Sequence, residues 1–346
     1  MKINNSIIDE NSPAYIIAEL SCNHCGDLNL AKETIYAMAE ANANAVKLQT
    51  FELEYLTLNS KNEDFMIRGG TLWDNQSLYD LYSRTITPLE WHEELFSLAT
   101  KLGLDCFSSP FHESAVDFLE RLNCPAYKIA SFEISDINLI RYVAKKGKPI
   151  ILSTGVARKE DIDLAIKTIR EVGNNQIAIL KCTSGYPTPL SDVNLENMKA
   201  IATDYQVITG VSDHTKDSIV PQLSVAMGGR IIEKHFILDK NLDSPDKEFS
   251  LDPEEFSNMV KGVRQTEMIC GSPSYELSEK RKKSRDYMRS LYFVSDLKAG
   301  QIIKSSDIRS VRPGFGAHPS EINNIIGYKV KDNVSYGSRV EISNLE

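Results

Sequence analysis

No stretch of this sequence stays apolar for the roughly eighteen residues a membrane-spanning helix requires. Its start, Met1-Lys2-Ile3-Asn4-Asn5, lacks the basic, apolar and small-residue succession of a secretion signal, which predicts a cytoplasmic address. There is no basic block either: 39 Lys and Arg face 48 Asp and Glu, a formal net charge of −9, which argues against nucleic-acid binding and against attraction to an anionic membrane. Neither a Walker glycine loop nor a GxGxxG sequence is present, so nucleotide binding lacks its signature. Six scattered cysteines include one close pair, Cys22-x-x-Cys25, with no second pair to complete a zinc site, and they read as reduced thiols. An acidic protein that handles an anionic small molecule must gather its cations locally, with lysines and metal ligands brought to one place.

What is present is a long chain, 346 residues and 42% hydrophobic, with room for one large core and a smaller one. From about residue 14 to 240, short β-rich apolar runs alternate with amphipathic stretches of helical length. Eight such runs are legible: Tyr15 to Leu20, Ala45 to Thr50, Asp105 to Ser109, Ala126 to Ile129, Pro149 to Ser153, Ile177 to Cys182, Val207 to Ser212 and Arg230 to Phe236. Eight βα units of this kind predict an α/β protein built as a (β/α)8 TIM barrel over residues 1–278. A long excursion from Phe51 to about Thr87 follows the second run and carries Gly69-Gly70-Thr71-Leu72-Trp73-Asp74, in the position where barrels keep substrate selectivity. A charged connector at 279–287 reads as a linker, and residues 288–346 change to short β-type runs and turns, a small β-rich domain.

Function in such a barrel resides at the C-terminal ends of the strands. The predicted ends are polar throughout: Glu19, Lys47 and Gln49, Ser109, Lys128 and Ser131, Ser153-Thr154-Gly155, Lys181 to Tyr186, Ser212-Asp213-His214 and Glu233-Lys234-His235. A single rim lysine or histidine is ordinary, but independent accidents do not load every strand. His214 and His235, ending adjacent strands, are spaced to share one divalent ion with positions left open, and Asp213 and Glu233 would orient their imidazoles. Lys47 and Lys128, with the hydroxyls of Ser109, Ser131 and Ser212, would cradle a phosphate and a carboxylate. A Schiff-base aldolase with one nucleophilic lysine uses similar residues and stays open on spacing alone.

These motifs resemble the N-acetylneuraminate (sialic acid) synthase family. The similarity runs through Ile17 to His24, Val46 to Thr50, Phe107 to Phe111, Tyr127 to Ser131, Leu152 to Gly155, Tyr186-Pro187-Thr188, Ser212 to His214, Glu233 to Phe236 and Arg312-Pro313-Gly314, nearly the whole chain. The resemblance implies a barrel followed by an antifreeze-like (SAF, β-clip) domain, in a domain-swapped homodimer. It implies a transferase that condenses phosphoenolpyruvate with an acetamido-sugar aldehyde and uses Mn, Mg or Co. By the same resemblance His214 and His235 hold the metal and take part in catalysis with Glu19. Lys47, Ser109, Lys128, Ser131, Thr183 and Ser212 hold phosphoenolpyruvate, while Gln49, Tyr186 and Asp246 face the sugar together with Arg312 of the neighbouring subunit. Sialic acid synthases usually show asparagine where Thr183 is placed, which weakens the carry-over of that phosphate contact, and a threonine hydroxyl would replace part of it. The Gly69 to Asp74 loop, Cys182-Thr183-Ser184 and the Arg312 to Pro319 turn look like the pseudaminic branch, whose 6-deoxy, diacetamido sugar suits the apolar Trp73 and Phe315. A non-catalytic sugar-binding role is the rival from another class, and none of the histidines, lysines or Glu19 that a retired enzyme loses is missing.

Overall fold

The computed structural model describes residues 1–346 and divides into two units, Met1–Gly271 and Ser272–Glu346. The first begins with a two-stranded antiparallel hairpin, β1 (Lys2–Ile3) and β2 (Ser6–Ile7). Asn4 and Ser6 donate from it to the Asp105 carboxylate at 2.7 and 3.0 Å, and the Tyr15 hydroxyl joins them at 2.7 Å. Since Tyr15 and Asp105 are the first residues of their strands, this polar knot fastens the hairpin to the N-terminal end of the sheet.

That sheet is a closed parallel barrel of β3 (Tyr15–Glu19), β4 (Ala45–Thr50), β5 (Asp105–Pro110), β6 (Tyr127–Ile129), β7 (Ile150–Ser153), β8 (Ile177–Cys182), β9 (Ile208–Asp213) and β10 (Ile231–His235), with β10 returning to β3. All eight lie where the apolar runs predict them. Their residues are buried on both faces, as strands enclosed by helices must be. Outer helices present the expected apolar stripe: Ala31, Ile35 and Met38 of Leu28–Glu40 are buried, as are Val116 and Leu119 of Glu113–Arg121. The helix Pro253–Cys270 opens with proline at its first turn and a reciprocal cap in which Glu255 N donates to Asp252 at 2.9 Å and Asp252 N to Glu255 at 3.1 Å.

The second unit has its own small core of Leu291, Phe293, Ile303, Ile308, Ile325, Val330 and Val340. One antiparallel pair, β11 (Ser290–Phe293) with β12 (Ile308–Val311), is a regular ladder; the β-type runs near residues 328–330 and 337–342 contribute only isolated bridges. The charged stretch expected as a linker is helical from Glu279 to Ser284 and belongs to this unit. All six cysteines are free thiols.

Candidate active site

Strand register decides which side chains meet. His235 pairs with Glu19 and Glu19 with Lys47 on one level, Glu233 pairs with Ser212 on the level below, and Gln49 pairs with Ser109 on the level above, so three adjoining levels meet at the C-terminal end. Alternation points Lys47 and Gln49 inward from β4, and Glu233 and His235 inward from β10. At the centre Glu233 Oε1 accepts from Lys47 and Lys128, each at 3.1 Å, and from Ser212 Oγ at 2.8 Å. Lys47 also meets Glu19 at 2.9 Å.

The four charged members, Glu19, Lys47, Lys128 and Glu233, are each only 2% exposed, so their charges are held by one another rather than by water. Burial alone pushes the Glu19 carboxyl up, but Lys47 and then His235 outweigh it and bring it to about 2. The lysines part company. Glu19 and Glu233 overcome burial at Lys47 and raise it, whereas burial prevails at Lys128 and lowers it.

His214 and His235 lie with ring centroids 5.2 Å apart, and Phe249 packs edge-on against both, 5.6 Å from the first and 4.9 Å from the second. Asp213 and Glu233 do not orient these imidazoles. Asp213 faces away from the barrel interior, binding the fully buried Lys234 at 2.7 Å and the backbone of Thr215, and Glu233 is taken by the lysines. Instead, His214 Nδ1 lies 3.3 Å from the Thr183 carbonyl and 3.6 Å from Cys182 Sγ. His235 is bracketed by Glu19 at 3.3 Å and Asp246 at 3.4 Å, although its Nδ1 makes no aligned hydrogen bond. No group of three or more His, Cys, Asp or Glu side chains converges as a closed metal cage. Two imidazoles with adjacent carboxylates and an unpartnered ring nitrogen fit an open divalent site, in which substrate and water complete the shell.

Beside this pair lies a cradle of buried polar atoms. Ser109, Ser153 and Ser184 hydroxyls and Glu233 Oε2 are buried without hydrogen-bond partners, which a folded chain tolerates where a polar ligand docks. Gly155 forms the floor: its N–H donates to Ser131 Oγ at 3.0 Å, and a Cβ there would sit 2.1 Å from Ser184 Oγ and 2.7 Å from Ser131 Oγ. Thr183 is not brought to this cradle. Its hydroxyl accepts from Lys181 at 2.9 Å and donates to the Asp192 carbonyl at 3.1 Å, whereas the neighbouring Ser184 hydroxyl is the one beside Gly155. Close by, Glu133 is held by burial at about 7, with Oε2 unpartnered.

On the other flank Gln49 donates to Glu19 at 2.9 Å and to Ser21 Oγ at 3.2 Å, and Ser21 donates to Asp246 at 2.5 Å. Ser21 takes φ 47°, a left-handed backbone uncommon outside glycine that aims its hydroxyl at Asp246. Tyr186 packs 4.6 Å from His214 and 5.2 Å from Phe249. Arg312 stands exposed on a turn of the second unit and forms no ion pair. Ser184, Glu133, Ser21, Cys182 and Phe249 are site residues that sequence reasoning did not assign. Cys182, Ser184 and Glu133 carried a usable signal, namely their place at or just beyond a strand end.

A closed parallel barrel whose C-terminal rim gathers two buried lysines, unpartnered hydroxyls and a histidine pair has the layout of a barrel enzyme. Comparison with known proteins narrows this class. The NeuB family matches residues 34–275 and the SAF domain matches residues 288–346. A pseudaminic acid synthase of Campylobacter jejuni is 44% identical over 99% of this chain and 99% of that protein. An N,N'-diacetyllegionaminic acid synthase of Legionella pneumophila is 37% identical over 96% of this chain and 94% of its own. The crystal structure of an N-acetylneuraminic acid synthetase from Leptospira borgpetersenii superposes with a TM-score of 0.74 at 30% identity, covering 82% of this chain and 94% of that one. The chain belongs to the NeuB family and is an enzyme of the sialic acid synthase type.

Proposed function

We propose that this enzyme is a pseudaminic acid synthase, condensing phosphoenolpyruvate, 2,4-diacetamido-2,4,6-trideoxy-L-altrose and water to pseudaminic acid and phosphate. The observation that supports the chemistry is the gathering of the buried Lys47 and Lys128, three unpartnered serine hydroxyls and the histidine pair at one end of the barrel. The choice of sugar is supported by the higher identity to a pseudaminic than to a legionaminic synthase, 44% against 37%, over nearly the whole chain.

Lys47 and Lys128 neutralise the phosphate and carboxylate of phosphoenolpyruvate, while Ser109, Ser131, Ser153, Ser184 and Ser212 fix their oxygens. A divalent ion held by His214 and His235 would supply Lewis-acid polarisation of the sugar aldehyde. Carbon 3 of the enol then bonds to the aldehyde carbon, and water adds at carbon 2. The bond from carbon 2 to the phosphate oxygen breaks, its electron pair leaving with phosphate, and the two protons of water end on the new hydroxyl and on phosphate.

Lys47 and His235 hold the Glu19 carboxyl low and make it the weaker base, whereas Glu133, pushed up by burial to about 7, is suited to accept and return a proton near neutrality. Glu19 acts instead by holding Lys47, Gln49 and His235. Gln49, Tyr186 and Asp246 face the sugar, and a second copy of the chain supplies Arg312 within a swapped homodimer. Phosphoenolpyruvate labelled with oxygen-18 at the bridging position tests the reaction: the label leaves in phosphate, and label retained in the sugar acid overturns it.

A further inference from the structure

The excursion after β4 contains a small built platform. Met66 and Ser77 pair antiparallel, Ile67 N donates to the Gln76 carbonyl at 2.9 Å, and Asn75 N donates back to Ile67 at 3.0 Å, making a hairpin inside the long loop. Its tip is closed by one side chain: the Asp74 carboxylate accepts from Gly70 N at 2.8 Å, Thr71 N at 2.9 Å and Thr71 Oγ1 at 2.7 Å. These bonds hold Asp74 below its ordinary carboxylate range. Gly69 and Gly70 at φ 126° and 81° let the chain turn tightly enough to complete the loop.

The platform presents one residue to the site. Trp73 lies with its ring centroid 5.6 Å from Tyr186, the planes inclined at 50°, and Tyr186 in turn packs on His214. At this separation the two rings touch and form one continuous apolar surface beside His214, while the hydrogen-bonding groups, Gln49 and Asp246, are held together through Ser21.

We propose that Trp73 is a specificity-determining residue for the aldehyde sugar. With Tyr186 it receives the methyl and acetamido-methyl groups of a deoxy acetamido sugar, and Asp74 positions it by closing the turn. This rests on the condensation proposed above, and a polyhydroxylated sugar lacking those methyls gains little from that surface.

The chain has two tryptophans, and the second, Trp91, lies on the outer helix Leu89–Lys101 against His24, which makes the inference directly readable. In a Trp91→Phe background Trp73 is the sole indole emitter. Its emission should stay constant when phosphoenolpyruvate is added alone and change when the sugar is added during steady-state turnover. Trp73→Ala should raise the KM for the sugar about tenfold or more, the range expected for losing an apolar contact, and leave the KM for phosphoenolpyruvate within twofold. Trp73→Phe should recover most of the loss, and Asp74→Ala should reproduce part of it. An unchanged phosphoenolpyruvate KM also shows that each variant is folded. Emission that ignores the sugar while the enzyme turns over, or a sugar KM within twofold of the parent in Trp73→Ala, overturns the assignment. If the parent protein forms no product, the proposed condensation fails instead, which is a separate outcome.

Discussion

Glu233 is the single carboxylate on which both site lysines converge, and replacing it by glutamine removes a charge while keeping the shape. Lys47 retains Glu19, but Lys128 has no other carboxylate partner and is 2% exposed. Breaking a buried pair on one side costs about 3–5 kcal/mol, since the surviving ion stays desolvated. At about 2 °C per kcal/mol for a domain of this size, the barrel should melt roughly 6–10 °C lower. The deficit should depend on pH with a definite sign. Burial already depresses Lys128 below its ordinary value of 10.5, and losing Glu233 depresses it further. The unfolded chain then binds the extra proton, so stability of Glu233→Gln rises with pH and its deficit narrows as pH climbs toward that value. Phosphoenolpyruvate at a hundred times its Kd should restore about 2.7 kcal/mol by mass action. Calorimetry and urea unfolding of both proteins at pH 7 and 9.5 read all three effects. A variant within about 1 kcal/mol of the parent at pH 7 refutes the claim that Glu233 carries the counter-charge.

Gly155→Ala should raise the KM for phosphoenolpyruvate by on the order of a hundredfold, because the new Cβ would meet Ser184 Oγ at 2.1 Å, while calorimetric stability changes little. Ser184→Ala should raise the same KM, whereas Thr183→Ala should leave it within twofold, since the Thr183 hydroxyl serves Lys181 and Asp192. Glu133, raised by burial from 4.5 to about 7, stabilises the fold below pH 4.5 and loses that contribution as pH rises through 7, so Glu133→Gln should flatten the stability profile over this window. The same variant should abolish the acid limb of the kcat profile, which pH-rate measurement checks. Borohydride with phosphoenolpyruvate or pyruvate should trap no adduct on Lys128; a covalent adduct there would turn the reading toward a Schiff-base aldolase.

The barrel was legible because parallel strands buried on both faces read as continuous apolar runs, and Ala45–Thr50 and Ile177–Cys182 end where those runs end. Rim residues within strands were equally legible, since register and alternation fix their level and face. Asp213 could have been set aside on that ground: it alternates with Ser212, which faces the interior, and so it points to Lys234. Beyond the strand ends the alternation stops. The turn after Cys182 decides that Ser184 and not Thr183 enters the cradle, and neighbour identity does not encode that turn. Glu133 owes its high pKa to burial by a short 3-10 turn at Ser131–Ser135, a packing property invisible in composition. In the second unit the small core is met mainly by turns and isolated bridges, so short β-type runs there overstate the ladder.

The central claim is tested most directly by phosphate release from phosphoenolpyruvate with Mn, comparing the diacetamido-trideoxy-altrose, its legionaminic-type stereoisomer and N-acetylmannosamine, each with and without chelator. Chelator-sensitive release with the altrose sugar should run far above that with the other two. Equal or greater release with either alternative sugar contradicts the substrate, and release untouched by chelator contradicts the metal role of His214 and His235.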